Sequence, residues 1–289
     1  MNPVWAENDW VIDNIRLHYA RAGRPEKPAL VLVHGVTDSG KCWLSVVMEL
    51  KEDYDIVLPD ARGHGLSARL QRGETVDLAA DLSGLVRHLG LDQPILIGHS
   101  LGATISARVG VQNPGLVRAL ILEDPPWRLA AEPEEQPSPG NLPPPNPFVT
   151  MVSELVKKDL EEIIAQCRAD HPTWPEAELR PWAESKKQFD LSGFQDFGAA
   201  RRGWRELVPR ITCPTLLITA DSEYGAAITP EVAQMAASLN SFVQIANVPG
   251  AGHSIRRENF NQYMAVIQGF LKDEIGNLPF TPLNTENPG

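Results

Sequence analysis

Gly98-His99-Ser100-Leu101-Gly102 constrains this 289-residue chain more than any other stretch. The pentapeptide has the G-x-S-x-G form, directly after the apolar run Ile95-Leu96-Ile97 and directly before a segment, Leu101 to Val111, that reads as a helix. A strand that turns straight into a helix puts its central residue on strained backbone angles. A side chain at position 98 or 102 would then collide with the neighbouring strand or helix. The following helix also aims its free amides and the positive end of its dipole at the turn, where a developing negative charge is favoured. A glycine-rich turn before a helix is the plain alternative, and it leaves the serine unexplained.

The surrounding pattern is strand, helix, strand. Asn14 to Ala20 alternates like a strand, and Ala29 to Val33 is a continuous apolar run of the kind buried on both faces of a parallel sheet. Asp55 to Pro59, Pro94 to Gly98 and Ala119 to Glu123 are further strands. Leu78, Leu82, Leu85, Val86 and Leu89 share one helix face. This succession predicts parallel βαβ units. The pattern breaks after Asp124: Pro125 to Pro147 is crowded with prolines and can be neither a central strand nor a helix. Phe148 to Asp170, Pro175 to Asp190 and Gln195 to Val208 then read as helices without an intervening strand. Strand and helix alternate again over Thr215 to Ala220, a helix starting at Pro230, Phe242 to Val248, and a final helix from Glu258 to Lys272. The tail after Gly276 reads as loose.

Composition narrows the class of partner. A formal net charge of −11 and a pI near 5.1 argue against nucleic acid, whose binding draws on clustered Lys and Arg. The N-terminal MNPVWAENDW has neither the basic flank nor the apolar run of a signal peptide, and no stretch reaches the roughly 18 apolar residues of a membrane span. A cytoplasmic location is the expectation, with no membrane partner. Cys42, Cys167 and Cys213 are too few and too widely spaced for a disulfide framework or a zinc site, and read as free, buried thiols.

His34-Gly35-Val36, directly after the Ala29 to Val33 strand, resembles the α/β-hydrolase family when taken with the pentapeptide. Asp60-Ala61-Arg62-Gly63-His64-Gly65-Leu66-Ser67 is similar to another stretch of that family and reads as a rigid structural loop. The resemblance covers about residues 10 to 275. It implies a mostly parallel, eight-stranded, doubly wound sheet, with residues 1–124 and 209–289 as the core and 125–208 as an inserted helical cap. It also implies Ser100 as nucleophile and the backbone N–H groups of Val36 and Leu101 as an oxyanion hole. His253, in the Gly-rich Pro249-Gly250-Ala251-Gly252-His253-Ser254 after the last predicted strand, is implied as general base, in the chain order Ser then His. His34 and His64 read as structural.

For the acid two positions stay open. Most of the family carries it just after the strand assigned to Thr215–Ala220, which aligns Glu223. A minority carries it about 24 residues beyond the nucleophile, which is Asp124 at the end of the Ala119 to Glu123 strand. Asp124 is favoured, because Asp is the shorter and more usual acid and Pro125-Pro126 fixes the backbone after it. Trp127 and Trp204 are candidate substrate-binding residues, among other aromatics (Trp43, Phe148, Trp182, Phe194 and Phe197) that either line a pocket or form cap core. The reading is a serine hydrolase of a small ester or lactone-like substrate, acting as monomer or homodimer through an acyl-enzyme, with no cofactor and no metal. Carbon–carbon bond hydrolases and cofactor-free haloperoxidases share the same side chains. A non-catalytic ligand-binding protein on this fold is the alternative from another class.

Overall fold

The computed structural model describes residues 4–71, 76–129, 147–191 and 203–276. Eight strands form one sheet: β1 (Ala6–Ile12), β2 (Ile15–Gly23), β3 (Ala29–Val33), β4 (Asp55–Pro59), β5 (Ile95–His99), β6 (Ala119–Glu123), β7 (Thr215–Thr219) and β8 (Val243–Asn247). Their spatial order is β1-β2-β4-β3-β5-β6-β7-β8, with β2 antiparallel to both neighbours and the rest parallel. This is the α/β-hydrolase fold. β4, β5, β6 and β7 are buried at every residue, as strands covered on both faces must be.

Alternate side chains of each strand feed two cores. Val31, Val33, Leu96 and Leu120 enter one cluster, while Leu30, Leu32, Ile95 and Ile121 enter the other. Each buried Val, Leu or Ile contributes about 1.5–3 kcal/mol of transfer free energy, so two dry faces hold the strand ends rigidly. Helices α1 (Leu44–Leu50), α2 (Leu78–His88) and α3 (Leu101–Gln112) cover the first half of the sheet.

Between β6 and β7 come α4 (Pro147–Leu155), α5 (Leu160–Asp170), α6 (Glu176–Gln188) and the single turn α7 (Trp204–Leu207). Leu155, Ile163, Ile164, Cys167, Trp174, Leu179 and Ala183 give the first three a core of their own. Trp204 and Val208 instead join the cluster of the main sheet. The chain closes with α8 (Pro230–Leu239), the turn α9 (Ile255–Glu258) and α10 (Phe260–Gly276). No helix among the described residues is long and apolar enough to cross a membrane.

Three elements differ from the sequence expectation. Phe148 to Asp170 is two helices, because Asp159 caps the second with a reciprocal bond pair to Glu162. Asn14 is a turn residue: with Asp13 it takes positive φ (50° and 63°), a two-residue hairpin turn joining β2 to an additional edge strand, β1. The last helix begins with its own short turn at Ile255. Of the helix expected over Gln195 to Val208, residues 195–202 lie outside the described residues, as do Phe194 and Phe197. Cys42, Cys167 and Cys213 are free and buried.

Candidate active site

Ser100 stands between β5 and α3 at φ 53° and ψ −114°, a conformation that non-glycine residues rarely adopt. Its neighbours show why glycine flanks it. A Cβ on Gly98 would lie 2.3 Å from the Gly102 carbonyl oxygen, and one on Gly102 would lie 2.2 Å from that of Val33. Backbone carbonyls cannot swing aside as a flexible side chain would. Gly35 is equally confined: its Cβ would meet His99 Nδ1 at 2.8 Å and Ser100 Cβ at 3.3 Å. The loop after β3 therefore passes against the serine, with Val36 at its turn. Among the described residues neither Val36 nor Leu101 gives its N–H to a backbone carbonyl in a turn, loop or cap.

A chain of hydrogen bonds runs from the serine. His253 Nε2 lies 3.1 Å from Ser100 Oγ, and His253 Nδ1 lies 2.6 Å from Asp124 Oδ2. The Asp124 side chain is fully buried, while that of His253 is 35% exposed. Asp124 also stands at positive φ (43°) and accepts the N–H groups of Ala227 at 2.7 Å and Ile228 at 2.9 Å. Charge-assisted bonds of this kind are worth about 1.5–3 kcal/mol each and fix both carboxylate oxygens. Glu223 lies on an exposed single turn after β7, and the contact to His253 Nδ1 is made by Asp124. Asp221 accepts the Gly250 N–H at 2.8 Å and ties down the loop that carries His253. Gly252 in that loop passes so close to the Tyr224 carbonyl that a Cβ would lie 2.0 Å from it.

His99, beside Ser100 on the strand-to-helix elbow, donates from Nε2 to the His253 carbonyl at 2.8 Å, so one end of the site holds the other. Burial, then Arg256 and His253, push its pKa well below the usual range, and it is neutral. His34 accepts the Ala61 N–H at Nε2 (3.0 Å), and burial lowers its pKa. Asp60 takes the N–H groups of Gly40 and Leu66, which makes its loop a brace for the turn after β3.

Behind the site lies a buried cluster of six charges that no stretch of sequence announces. Asp38 lies 2.8 Å from Lys186 Nζ, 3.0 Å from Arg257 and 3.5 Å from Arg256. Glu123 pairs with Arg256 at 3.3 Å and Glu178 with Arg257 at 3.3 Å. Burial raises the Asp38 pKa, but Arg257, Lys186 and Arg256 outweigh it and hold the carboxyl well below its usual range. Singly these residues look like ordinary surface charges, and only three-dimensional convergence sets them apart. Among the candidate aromatics whose side chains are described, Trp43, Trp127 and Trp204 are buried and Trp182 is half-buried. Trp127 and Trp204 are 1% and 2% exposed and stack at 5.7 Å, and Trp204 Nε1 donates to the Arg128 carbonyl. Trp43 is buried under Arg256, and Trp182 packs on Trp174 and Lys186. Among the described residues no three His, Cys, Asp or Glu side chains are grouped to hold a metal.

Fold and site together define a hydrolase of the α/β class, and the chain belongs to the alpha/beta hydrolase family, whose model matches residues 30–262. It is 32% identical over 268 residues to the N-formylmaleamate deformylase of Pseudomonas putida, covering 90% of this chain and 94% of the relative. It is 27% identical over 255 residues to the 2-(acetamidomethylene)succinate hydrolase of Mesorhizobium japonicum, covering 84% and 88%. The crystal structure of the N-formylmaleamic acid deformylase of Pseudomonas putida S16 superposes with a TM-score of 0.73 at 21% identity, over 91% of this chain and all of that one.

Proposed function

We propose that this chain is a cytoplasmic serine hydrolase that removes a small acyl group from nitrogen in a carboxylate-bearing substrate. The observation that carries it is the unbroken chain from Ser100 Oγ through His253 to Asp124, at 3.1 and 2.6 Å. Ser100 Oγ attacks the acyl carbon while His253 Nε2 takes its proton, and Asp124 holds the imidazole tautomer and stabilises the imidazolium. The N–H groups of Val36 and Leu101 receive the oxyanion, each donor being worth about 3 kcal/mol in comparable sites. Collapse breaks the C–N bond, and His253 returns the proton to the leaving nitrogen. Water, deprotonated by the same imidazole, then releases the acid from Ser100.

The sequence alone points to an ester or lactone-like bond, and the same steps would cleave one. The nitrogen-linked acyl group is favoured because two relatives matched over most of their length are named for N-formylmaleamate and 2-(acetamidomethylene)succinate, each carrying a one- or two-carbon acyl group on nitrogen in a molecule with at least one carboxylate. Epoxide opening on this fold needs a carboxylate nucleophile, and position 100 is serine. Three free, buried thiols suit a reducing compartment.

The test has two parts. Diisopropyl fluorophosphate should label Ser100 by mass spectrometry, and Ser100→Ala should abolish labelling and lower turnover by about three orders of magnitude or more. Formate release from N-formylmaleamate should proceed with a higher kcat/KM than acetate release from simple alkyl acetates. An unlabelled native chain would remove the nucleophile. Labelling with turnover of esters alone would return the ester reading.

A further inference from the structure

The turn that carries Val36 is strained, and the side chain that holds it comes from a distant part of the sequence. Thr37 has φ 66°, and the Asp38 N–H closes the turn on the Gly35 carbonyl at 3.2 Å. A left-handed conformation at the third residue of such a turn is ordinary for glycine and unfavourable for a β-branched residue, by about 1–3 kcal/mol. Strain of that size persists only where surrounding contacts over-determine it. Here they converge from Lys186 on α6: its Nζ donates to the Thr37 carbonyl at 2.9 Å, to Thr37 Oγ1 at 3.1 Å and to Asp38 Oδ1 at 2.8 Å. Lys186 is only 1% exposed and lies 149 residues along the chain from Thr37. A fully buried ammonium is costly, and these acceptors are what make it tolerable.

We infer that Lys186 is a positioning residue for the oxyanion hole, so that the helical segment between β6 and β7 completes the hole by pinning Thr37 and hence the peptide of Val36. Without the ammonium, Thr37 relaxes toward negative φ, and the adjoining Val36 peptide turns its N–H away from the oxygen bound beside Ser100. Lys186 touches no reacting atom. It acts through the loop alone, and Asp38 keeps Arg256 and Arg257 as partners when Lys186 is removed.

This inference rests on Ser100 and Val36 having the roles proposed above, and the rate of Ser100 phosphorylation tests it without any knowledge of the substrate. In the reaction with diisopropyl fluorophosphate, Ser100 Oγ bonds to phosphorus, fluoride leaves, and the serine proton passes to His253. The phosphoryl oxygen occupies the oxyanion hole in the transition state. Lys186→Met should label about 100-fold more slowly than the native chain while keeping its circular dichroism. Lys186→Met with Asp38→Asn rebalances the buried cluster, and should regain part of any melting temperature lost by the single variant yet label no faster. Labelling of Lys186→Met at the native rate would overturn the inference. So would recovery of rate together with stability in the double variant, or loss of fold in both, since each makes Lys186 a residue of stability alone. A native chain that fails to label would instead remove the catalytic reading on which the inference stands.

Discussion

Two carboxylates at the ends of adjacent strands compete on paper for one imidazole, and a few ångströms of loop decide between them. The segment after β7, where most of the family carries its acid, here turns its Ala227 and Ile228 N–H groups onto Asp124. Asp124→Asn should preserve this geometry approximately yet lower kcat by about 10⁴, because an amide whose oxygen stays on the Ile228 N–H turns its NH2 donor toward Nδ1 and so favours the wrong tautomer. Glu223→Gln, on an exposed turn, should leave kcat within about twofold. Steady-state kinetics of the two variants rank the carboxylates, and a reversed ranking would move the acid to β7. The ambiguity has a physical origin. Local sequence shows that a carboxylate ends a strand, but Asp124 meets His253 across 129 residues and its amide donors across 103 and 104, separations no local pattern encodes. The Lys186 contacts are illegible for the same reason, whereas the Ser100 turn is legible because its strand, glycines and helix are contiguous.

At the level of elements the elbow is a packing problem solved by two missing methyl groups. Gly102→Ala would force a Cβ to within 2.2 Å of the Val33 carbonyl, so α3 must move off β3, at a cost of about 1–3 kcal/mol or more. A Cβ at Gly269, exposed on α10, would have nothing within 4 Å of it, and Gly269→Ala should stabilise by about 0.8–1 kcal/mol through helix propensity alone. Urea denaturation of both variants checks the pair of signs; a neutral or stabilising Gly102→Ala would mean that the elbow tolerates displacement. The buried parallel strands are legible because short runs of three to five apolar residues between turn formers admit little else. β1 is not: it is an edge strand with mostly exposed residues, and the Asp13-Asn14 turn is its one local signal. The break inside Phe148 to Asp170 is likewise written in Asp159-Leu160-Glu161-Glu162, a capping pattern that apolar spacing alone overlooks.

At the scale of the whole molecule, buried histidines make stability depend on pH well above the carboxylate range. His34, His64 and His99 have pKa values lowered chiefly by burial, that of His64 to about 3. In the unfolded chain each takes a proton near pH 6.5. Below that pH the unfolded state therefore binds more protons than the folded state, and stability falls as pH falls, by up to about 1.4 kcal/mol per pH unit for each histidine. Glu123 opposes this, because burial raises its folded pKa despite Arg256, and unfolding releases its proton where the two windows overlap. Three protons taken up against one released still leave acid destabilising. Asp38, held low by Arg257, Lys186 and Arg256, contributes stability that is complete above about pH 4 and is lost as pH drops from there through its folded value. The urea midpoint should thus be nearly level from pH 8 to 7, decline from about pH 6.5, and decline further below pH 4. Histidine ring resonances followed by NMR give the same answer site by site: that of His64 should stay at its neutral position at pH 5 in the folded protein, with those of His34 and His99 titrating below the free-imidazole range, and a normal titration of all seven with a flat urea midpoint between pH 6.5 and 5 would show that these imidazoles reach water.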